Sequence, residues 1–428
     1  MYNYIGDNMI KVIKNGIVLT MDEKRPKYEK LDIVINDDKI VDLVENYNGE
    51  YDLLIDASGK IVMPGLINCH THLGMSIFRA TNDNLNLNDW LNNKIWPIED
   101  KLTDEDIYYT TLLSCIEMIK TGSVIANDMY FGSLGILKAV KESKIRCLFG
   151  RCLMDSDGKG KERIDEFIEL YNNKDNDLIK YTIAPHAFYT CSKEYLKECS
   201  DLALKYNLPL HIHFCENLNE VDGIKKEYGT TFNALKETGL LRNKLILAHG
   251  TFIDEIEKYK DYDVSISHNP LSNLDLGCGI ANITKYRDYV NIGLGTDGQG
   301  SGNNMNLFYH MSLVDLLQKG IYKDPTVYSS YETLKMATIN GARVLGVEDE
   351  IGSIEIGKKA DIIIIDLNNI ETYPTVDLIV NLVHNTESNN VDTTIVNGEV
   401  LMQNHKLCLD INEEDLKSNI SRIIERLK

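Results

Sequence analysis

Two pairs of histidines, each separated by one residue, are the strongest chemical signal in this chain. His70 and His72 end the segment PGLINCHTH, and His211 and His213 open the segment HIHFCE. On an extended strand, side chains two residues apart point to the same face, so both can reach one metal ion. Imidazole is a common zinc ligand. Either pair alone is equally compatible with hydrogen-bonded histidines at a strand end, and spacing does not choose between His211 and His213.

A glutamate, a histidine and an aspartate also follow strand-like apolar segments. Glu216 lies just past His213, His249 ends the segment LILAH, and Asp297 ends the segment GLGTD. A carboxylate beside a metal site can act as a general acid and base. Alone, Asp297 would more often be a helix N-cap. Together with the histidine pairs, these residues predict one shared metal centre, because metal sites are recognised by such ligand clusters.

These polar residues lie where predicted strands give way to predicted helices. Helical spacing of apolar residues predicts helices over 102–121, 193–206 and 223–238. Strand–helix alternation predicts an α/β fold with a parallel sheet, either a (β/α)₈ TIM barrel or a doubly wound open sheet. The barrel is favoured because its active sites gather polar residues at the carboxyl ends of the strands. The predicted strands end near His70, Met129, Arg151, His186, His213, His249, His268 and Asp297.

The two ends of the chain differ from the middle. Residues 1–60 and 352–410 contain short segments rich in β-branched residues, with Asn-Gly turns. We expect them to pair into one small β-sandwich domain that flanks a barrel formed by residues 61–351. Residues 411–428 are predicted to form a C-terminal surface helix.

Composition and charge argue against several kinds of partner. The 428 residues include 45 Lys and Arg against 65 Asp and Glu, a formal net charge of −20. Such a chain is not expected to bind nucleic acid, which requires clustered cations. Binding to an anionic membrane surface is unfavourable for the same reason. No apolar run is long enough to span a bilayer and no signal-peptide pattern occurs, so we expect a cytoplasmic protein. The nine cysteines follow no regular spacing and predict buried reduced thiols.

Motifs along essentially the whole chain resemble those of one enzyme family. They are VMPGLINCHTHLGMSIFRA (62–80), WLNNKIWPIE (90–99), TIAPHAFYTCS (182–192), HIHFCEN (211–217), LAHGTFID (247–254), SHNPLSN (267–273), GLGTDG (293–298) and IGSIEIGKKADIIIID (351–366). The chain resembles the amidohydrolase superfamily, in its branch of metal-dependent aminohydrolases, and is most similar to the 5-methylthioadenosine/S-adenosylhomocysteine deaminases. The last motif resembles the β-domain of that superfamily, which agrees with the pairing of the two ends.

The resemblance implies a metal centre with an acid–base glutamate beside it. It implies one divalent metal ion per subunit, most often zinc, with iron and manganese as alternatives. The implied ligands are His70, His72, His213 and Asp297. Glu216 matches the glutamate that protonates the purine ring, and its spacing selects His213 over His211. His249 matches a histidine that hydrogen-bonds the attacking water, whose proton it and Asp297 would accept.

The resemblance also implies a small-molecule substrate. The expected reaction is the hydrolytic deamination of S-adenosylhomocysteine, 5′-methylthioadenosine or adenosine to the inosyl product and ammonia, with Glu216 and Asp297 in contact with the purine. Glu99 matches a glutamate that accepts hydrogen bonds from the ribose hydroxyls. His186 matches a histidine that contacts the substrate. Arg151 and Arg163 fall where the family has arginines that can face an amino-acid tail.

Several alternatives stay open at this point. Another aminohydrolase of the same superfamily would act on guanine, cytosine or an s-triazine. A binuclear amidase needs a bridging lysine that the segment IAPH does not offer, and a non-catalytic member would have lost ligands that are present here. Trp90 and Trp96 suit pocket walls and core positions equally. Barrels of this kind often pair, so a homo-oligomer is compatible with the sequence.

A few residues depart from the family pattern near the expected substrate mouth. None is a predicted ligand, so they bear on which substrate is used and leave the chemistry unchanged. They are Phe188, Asp275, Cys278, Asn282, Gln299 and Gly302.

Overall fold

The computed structural model describes residues 9–25, 28–81 and 84–428. Its strands are β1 (Ile10–Lys14), β2 (Ile17–Val18), β3 (Glu29–Lys30), β4 (Asp32–Asn36), β5 (Lys39–Val44), β6 (Leu53–Asp56), β7 (Ile61–Pro64), β8 (Leu66–Thr71), β9 (Ser123–Tyr130), β10 (Arg146–Leu153), β11 (Ile179–Tyr181), β12 (Ala184–Pro185), β13 (Leu210–Phe214), β14 (Leu245–His249), β15 (Val264–His268), β16 (Asn291–Leu294), β17 (Ile362–Ile365), β18 (Val391–Val396), β19 (Glu399–Gln403) and β20 (Lys406–Leu407). Its α-helices are α1 (Leu87–Trp90), α2 (Trp96–Glu99), α3 (Asp104–Lys120), α4 (Ser133–Ser143), α5 (Gly160–Asn172), α6 (Lys193–Tyr206), α7 (Leu218–Tyr228), α8 (Thr231–Glu237), α9 (Pro270–Asp275), α10 (Ile283–Tyr286), α11 (Gln299–Gly302), α12 (Leu307–Tyr322), α13 (Ser330–Met336), α14 (Ile339–Leu345), α15 (Leu378–His384) and α16 (Glu413–Leu427).

The middle of the chain is an α/β fold whose strands form two parallel sheets. One has the order β11-β10-β9-β8, with β12 also paired to β10, and the other has the order β13-β14-β15-β16. The sheets meet at two places. Ile183 forms a parallel bridge with Leu210, and the Asp297 backbone N–H donates to the His70 carbonyl at 3.0 Å. The predicted alternation of strands and helices is confirmed, and the carboxyl ends of these strands gather on one face.

One predicted helix is divided in two. The spacing of apolar residues predicts a single helix over 223–238, whereas the chain forms α7 and α8 with a break at Gly229 and Thr230. Gly229 has a φ of +81°, a conformation that L-residues seldom adopt. The Thr230 side chain then accepts a hydrogen bond from the Asn233 backbone and caps α8. The apolar period continues across the break, so the pattern did not reveal it.

Strands from both ends of the chain lie in one mixed sheet of parallel and antiparallel pairs. Its order is β20-β19-β18-β17-β7-β2-β3, and the contact between the ends is the antiparallel pair of β7 with β17. A second sheet of order β5-β4-β1-β6 is built from the N-terminal segment alone. The side chains of β17 alternate between two apolar cores. Ile362 and Ile364 pack with Ile33 of β4, whereas Ile363 and Ile365 pack into the large core of the parallel sheets.

The C-terminal helix α16 covers helix α3. Its buried residues Leu416, Ile420 and Ile423 pack against Leu112 and Ile116, which gives the helix one apolar face and one solvent face. Within the part of the chain that the structure describes, no helix is both long and apolar enough to cross a membrane. The described cysteines are all free, and every one except Cys408 is buried.

Candidate metal and substrate site

The carboxyl ends of β8, β13 and β16 bring three imidazoles and one carboxylate together. His70 is the next-to-last residue of β8 and His72 follows that strand, His213 lies in β13, and Asp297 follows β16. The Nε2 atoms of His72 and His70 lie 3.1 Å and 3.4 Å from Asp297 Oδ1. His213 Nε2 is 3.2 Å from His72 Nε2. Four residues that are far apart in the chain therefore direct one ligand atom each at a common point.

The hydrogen bonds of the imidazoles show which nitrogen faces that point. The Nδ1 atom of His72 contacts the backbone carbonyl of Met129, and Nδ1 of His213 lies 2.8 Å from the carbonyl of His186. Because a carbonyl only accepts, we assign the proton to Nδ1 in both rings and a lone pair to Nε2. In this arrangement the two Nε2 atoms lie 3.2 Å apart, a separation that a metal ion bound to both rings or a proton on one of them can stabilise.

Protonation of the buried histidines agrees with a ligand role. Burial lowers the pKa of His70 to about 3 and holds the pKa of His213 well below its usual value. Both rings are therefore neutral near pH 7, as a metal ligand must be. Burial also lowers the pKa of His72, but its contacts with Asp297 outweigh burial and raise that pKa to about 9, so a metal ion would have to displace a proton from His72. The Nε2 atom of His70 makes no well-aligned hydrogen bond within the described residues. A buried nitrogen of this kind is satisfied by a bound cation.

The carboxylate of Asp297 is fixed by a set of hydrogen bonds. Its Oδ2 accepts from Ser272 Oγ at 2.6 Å and from Ser301 Oγ at 2.8 Å, and its Oδ1 accepts from the Gly298 backbone at 2.8 Å. Burial alone would raise the pKa of Asp297, but the contacts of Oδ1 with the histidines hold it well below the usual value. The side chain is therefore an anion, and Oδ1 faces the imidazoles of His70 and His72.

This donor set fits a divalent metal ion. The ligand atoms of His70, His72 and His213 lie within 4.8 Å of one another, and so do those of His70, His249 and Asp297. Three neutral imidazole nitrogens and one carboxylate oxygen suit zinc and several other divalent ions. With three uncharged imidazoles and one carboxylate as ligands, a bound divalent ion would leave a net charge of +1 at the site.

Left-handed backbone conformations recur at this site. Cys215, His249 and Asp297 have φ values of 53°, 72° and 61°. Each conformation costs about 1–3 kcal/mol in a residue other than glycine and persists only where the surrounding structure holds it. At these positions the backbone turns sharply as it leaves a strand. The turns direct the side chains of His249 and Asp297 across the strand ends. The turn at Cys215 does the same for Glu216, the next residue.

Glu216 lies beside the proposed metal ligands, and its backbone is hydrogen-bonded to the side chain of Glu220. The Glu216 backbone N–H donates to Glu220 Oε2 at 2.9 Å. The Glu216 Oε1 atom is 3.9 Å from His249 Nε2, and His249 Nδ1 is 2.8 Å from Asn273 Oδ1, which fixes the ring. Burial raises the pKa of Glu216 above its usual value. A carboxyl group with a raised pKa can carry a proton and donate it.

A cavity opens over these residues and includes most of the predicted site. Its walls combine the polar residues with apolar and aromatic side chains, the usual make-up of a small-molecule site. It is lined by His72, Met75, Leu87, Trp90, Leu91, Ile95, Trp96, Glu99, Met129, Tyr130, Phe131, Cys152, His186, Tyr189, His213, Glu216, His249, Leu276, Asp297 and Ser301. Trp90 and Trp96 are thus both pocket walls, although Trp90 is also buried in the core.

The predicted substrate residues fall into two groups. Glu99 and His186 line the cavity. Glu99 Oε1 accepts a hydrogen bond from Tyr130 Oη at 2.6 Å, and burial raises the pKa of Glu99 to about 7. A cation at the metal site would lower that pKa again, because it favours the carboxylate. Arg151 and Arg163, predicted to face an amino-acid tail, are not among the lining residues.

Several residues of the site were missed by sequence reasoning. Tyr130, which holds Glu99, lies at the end of β9, a position that the strand-end rule could have found. Ser272 and Asn273, which hold Asp297 and His249, lie in the motif SHNPLSN, and their roles depend on a contact between two strand ends. His211 lies beneath the site, with its Nε2 atom 2.9 Å from His70 Nδ1.

Replacing His211 with phenylalanine should weaken metal binding about 10–100-fold, the usual cost of losing a partner that orients a ligand. His70 must donate from Nδ1 to His211 Nε2 to present its own Nε2 lone pair. Competition with a chromogenic chelator measures the affinity without any assay of turnover. His211→Gln keeps an acceptor near the same point and is the control that should retain most of the affinity. Equal affinity in the phenylalanine variant would contradict this role.

The chain is similar to known proteins along nearly its whole length. A family model described as the amidohydrolase family matches residues 61–401. A 5′-deoxyadenosine deaminase of Methanobrevibacter smithii is 40% identical, with 99% of each chain covered. A 5-methylthioadenosine/S-adenosylhomocysteine deaminase of Thermoanaerobacter pseudethanolicus is 39% identical, with 97% of this chain and 99% of the relative covered. Among solved structures, an adenosine deaminase of Xanthomonas campestris with bound zinc is 29% identical and has a TM-score of 0.93, covering 97% of this chain and 98% of that one.

Proposed function

The chain belongs to the amidohydrolase family, and from that membership and the geometry of its site we propose that it is a metal-dependent hydrolytic deaminase of adenosine-type nucleosides. The observation that carries the proposal is the gathering of the Nε2 atoms of His70 and His72 at 3.4 Å and 3.1 Å from Asp297 Oδ1, with the Nε2 atom of His213 3.2 Å from that of His72 and the buried Glu216 beside them. That donor set fits a divalent cation and places an acid beside it. The substrates proposed are 5′-methylthioadenosine, S-adenosylhomocysteine and adenosine.

We propose that His70, His72, His213 and Asp297 hold one divalent ion, and that the ion is zinc. The zinc-bound adenosine deaminase that the chain resembles supports this choice. When bound, such an ion acts as a Lewis acid and makes water a nucleophile near neutral pH. All other steps fall to side chains of the chain itself.

Glu216 and Asp297 divide the proton transfers. Water attacks the purine carbon that bears the amino group, and the proton it loses passes to the carboxylate of Asp297. At the same time the protonated Glu216 donates to the adjacent ring nitrogen, so that no charge accumulates on the ring. His249, held by Asn273, hydrogen-bonds the attacking water and keeps it in line. When the carbon–nitrogen bond breaks, the proton on Asp297 passes to the amino group, which leaves as ammonia, and the hydroxyl proton passes back to Glu216 as the carbonyl of the product forms.

The cavity walls support a nucleoside rather than a free base. Glu99 and Tyr130 form a polar pair among the lining residues, and a carboxylate oxygen there can accept hydrogen bonds from two neighbouring hydroxyl groups. Met129, Trp90 and Trp96 offer apolar surface to the purine and the 5′ substituent. A free base would offer Glu99 no hydroxyl groups, and the carboxylate would keep only its hydrogen bond from Tyr130.

Replacing Glu99 with glutamine should lower kcat/KM for 5′-methylthioadenosine about 10–100-fold, because each hydrogen bond to a charged group contributes about 1.5–3 kcal/mol. Turnover of adenine, which has no ribose, should change much less. Steady-state kinetics on both substrates measure the difference. Tyr130→Phe is the matched control, since it leaves the carboxylate in place and should cost less than the change at Glu99. Equal losses of kcat/KM for the nucleoside and the free base would contradict the ribose-binding role of Glu99.

We also propose a domain division that matches the sequence prediction except at one boundary. The two parallel sheets would close into one (β/α)₈ barrel within residues 61–351, supported by the Ile183–Leu210 bridge and the hydrogen bond between Asp297 and His70. The predicted boundary is early by one strand, because β7 (Ile61–Pro64) pairs with β17 and β2 in the sheet of the chain ends. Segments 1–60 and 352–410 would form the β-sandwich domain, supported by the small apolar core between their sheets. Residues 411–428 would contribute the helix that covers α3.

A substrate panel tests the proposed function. The metal-loaded protein is incubated with 5′-methylthioadenosine, adenosine, adenine and guanine, and ammonia release is followed together with the purine absorbance. We expect deamination of the adenosine-type nucleosides, and loss of that activity on chelation. Activity on a free base alone would support a different aminohydrolase. The proposal fails if the metal is verified in place and none of the nucleosides is deaminated.

A further inference from the structure

The proposed metal ligand His72 lies beyond the end of β8, where strand pairing no longer fixes the backbone. The pairing of β8 with β9 shifts register between Asn68 and Thr71, and its last pair joins Thr71 to Asp128. The His72 backbone, at φ −125° and ψ 81°, then turns into a short 3₁₀ helix over Leu73–Phe78. Contacts outside the strand ladder must therefore fix the direction of the His72 imidazole.

The carboxylate of Asp128 is hydrogen-bonded to both sequence neighbours of His72. Its Oδ1 atom accepts from the Leu73 backbone N–H at 2.7 Å and from Thr71 Oγ1 at 3.1 Å. The next residue of β9, Met129, places its backbone carbonyl against His72 Nδ1. Three consecutive residues, 71 to 73, are thus each bound to the end of β9. The backbone on either side of the imidazole therefore has little freedom to rotate.

Asp128 is an expensive residue for the core at this position. Its side chain is fully buried, and a buried carboxylate destabilises the folded state unless its oxygens are paired. Within the part of the chain that the structure describes, its Oδ2 atom has no hydrogen-bond partner. An unsatisfied buried group in a native structure calls for a reason beyond packing. The two hydrogen bonds of Oδ1 indicate that reason, because both reach the segment that carries His72.

We propose that Asp128 is a positioning residue for the metal site, which holds His72 in the direction that lets its Nε2 atom bind the ion. The proposal rests on the proposed function, because His72 is one of the ligands proposed there. Asp128 itself is neither one of those ligands nor, among the described residues, part of the cavity lining. It acts through the backbone at Thr71 and Leu73. A group that orients a metal ligand in this way usually contributes about 10–100-fold to metal affinity.

The test measures Co²⁺ binding by the metal-free protein and by its variants. Competition with a chromogenic chelator gives the affinity, and the visible absorption of bound Co²⁺ reports the geometry of its ligands, so neither readout depends on turnover. We expect Asp128→Ala to weaken binding about 10–100-fold and to change the Co²⁺ spectrum. Asp128→Asn keeps an oxygen that can accept from Leu73 and Thr71, and it should retain the spectrum and most of the affinity.

Two results would overturn the role of Asp128 while leaving the proposed function intact. The first is an unchanged affinity and spectrum in Asp128→Ala. The second is an equal loss in the alanine and asparagine variants, because the charge of the side chain, and not its hydrogen bonds, would then matter. If the unaltered protein bound no Co²⁺, the proposed metal centre would fail, and the role of Asp128 would fail with it.

A second pair of variants keeps the test decisive if Asp128→Ala does not fold. Thr71→Val removes one of the two hydrogen bonds of Asp128 Oδ1 with little change of shape, and it should weaken Co²⁺ binding about threefold to tenfold. Thr111→Val is the matched control. Thr111 is equally buried, in α3, and its hydroxyl has no hydrogen-bond partner among the described residues. Equal Co²⁺ affinities in the two valine variants would overturn the proposal.

Discussion

Replacing Glu216 with glutamine is expected to lower kcat about 10²–10⁴-fold, the range that a positioned acid–base group contributes. Glutamine has nearly the same shape, but it cannot donate a proton to the purine ring and take one up again. Glu216 is buried, and burial raises its pKa, so the carboxyl group can arrive at the substrate protonated. The metal content should not change, because Glu216 is not among the proposed ligands. Single-turnover kinetics and metal analysis together measure this effect.

Glu220→Gln is the matched control for that variant. The Glu220 side chain accepts from the Glu216 backbone, and glutamine keeps an oxygen that can do the same. We therefore expect a much smaller loss than at Glu216, although both residues are buried glutamates on the same turn. If Glu216→Gln retained nearly full kcat with metal bound, another group would have to supply the proton.

Replacing His213 with alanine is expected to abolish tight metal binding. We expect kcat/KM to fall at least about 10³-fold as a result, because removing the ion removes the Lewis acid. The remaining ligands would present two imidazoles and one carboxylate. Loss of the ion should also lower the melting temperature, since an ion that binds only the folded state stabilises it by about 4 kcal/mol when its concentration is a thousand times Kd. Metal analysis after dialysis and thermal unfolding measure both effects.

His405→Gln is the control for unspecific metal binding by histidine. His405 lies in the turn between β19 and β20, where its Nδ1 is 3.0 Å from the Val391 carbonyl, far from the proposed ligands. Its variant should keep one ion per chain and full activity. Retention of one tightly bound ion in His213→Ala would contradict the assignment of His213 as a ligand.

The positions of the proposed ligands were predictable because they depend on local spacing. Each lies at or just after the end of an apolar strand, and the carboxyl ends of parallel strands meet on one face. Spacing could not separate His211 from His213, because residues two apart share a face. They differ in depth by roughly 6.6 Å along the strand. The deeper His211 therefore contacts His70, whereas His213 faces His72 at the level of Asp297.

Features that depend on packing between distant segments were not predictable. The partners of Arg151 and Arg163, namely Glu166 and Asp157, follow from how α5 and its preceding loop pack on β10. A resemblance to a family identifies the arginines but not the carboxylates that neutralise them. The contact of Tyr130 with Glu99 likewise joins the end of a strand to a short helix.

The central claim is that water replaces the amino group of an adenosine-type nucleoside at this metal site. The most direct measurement is the turnover of 5′-methylthioadenosine by the zinc-loaded protein in ¹⁸O-labelled water, with mass spectrometry of the product and quantification of ammonia. We expect one labelled oxygen per product, one ammonia per product, and neither after chelation. Unlabelled product, cleavage between base and ribose, or full activity in the metal-free protein would contradict the proposed reaction.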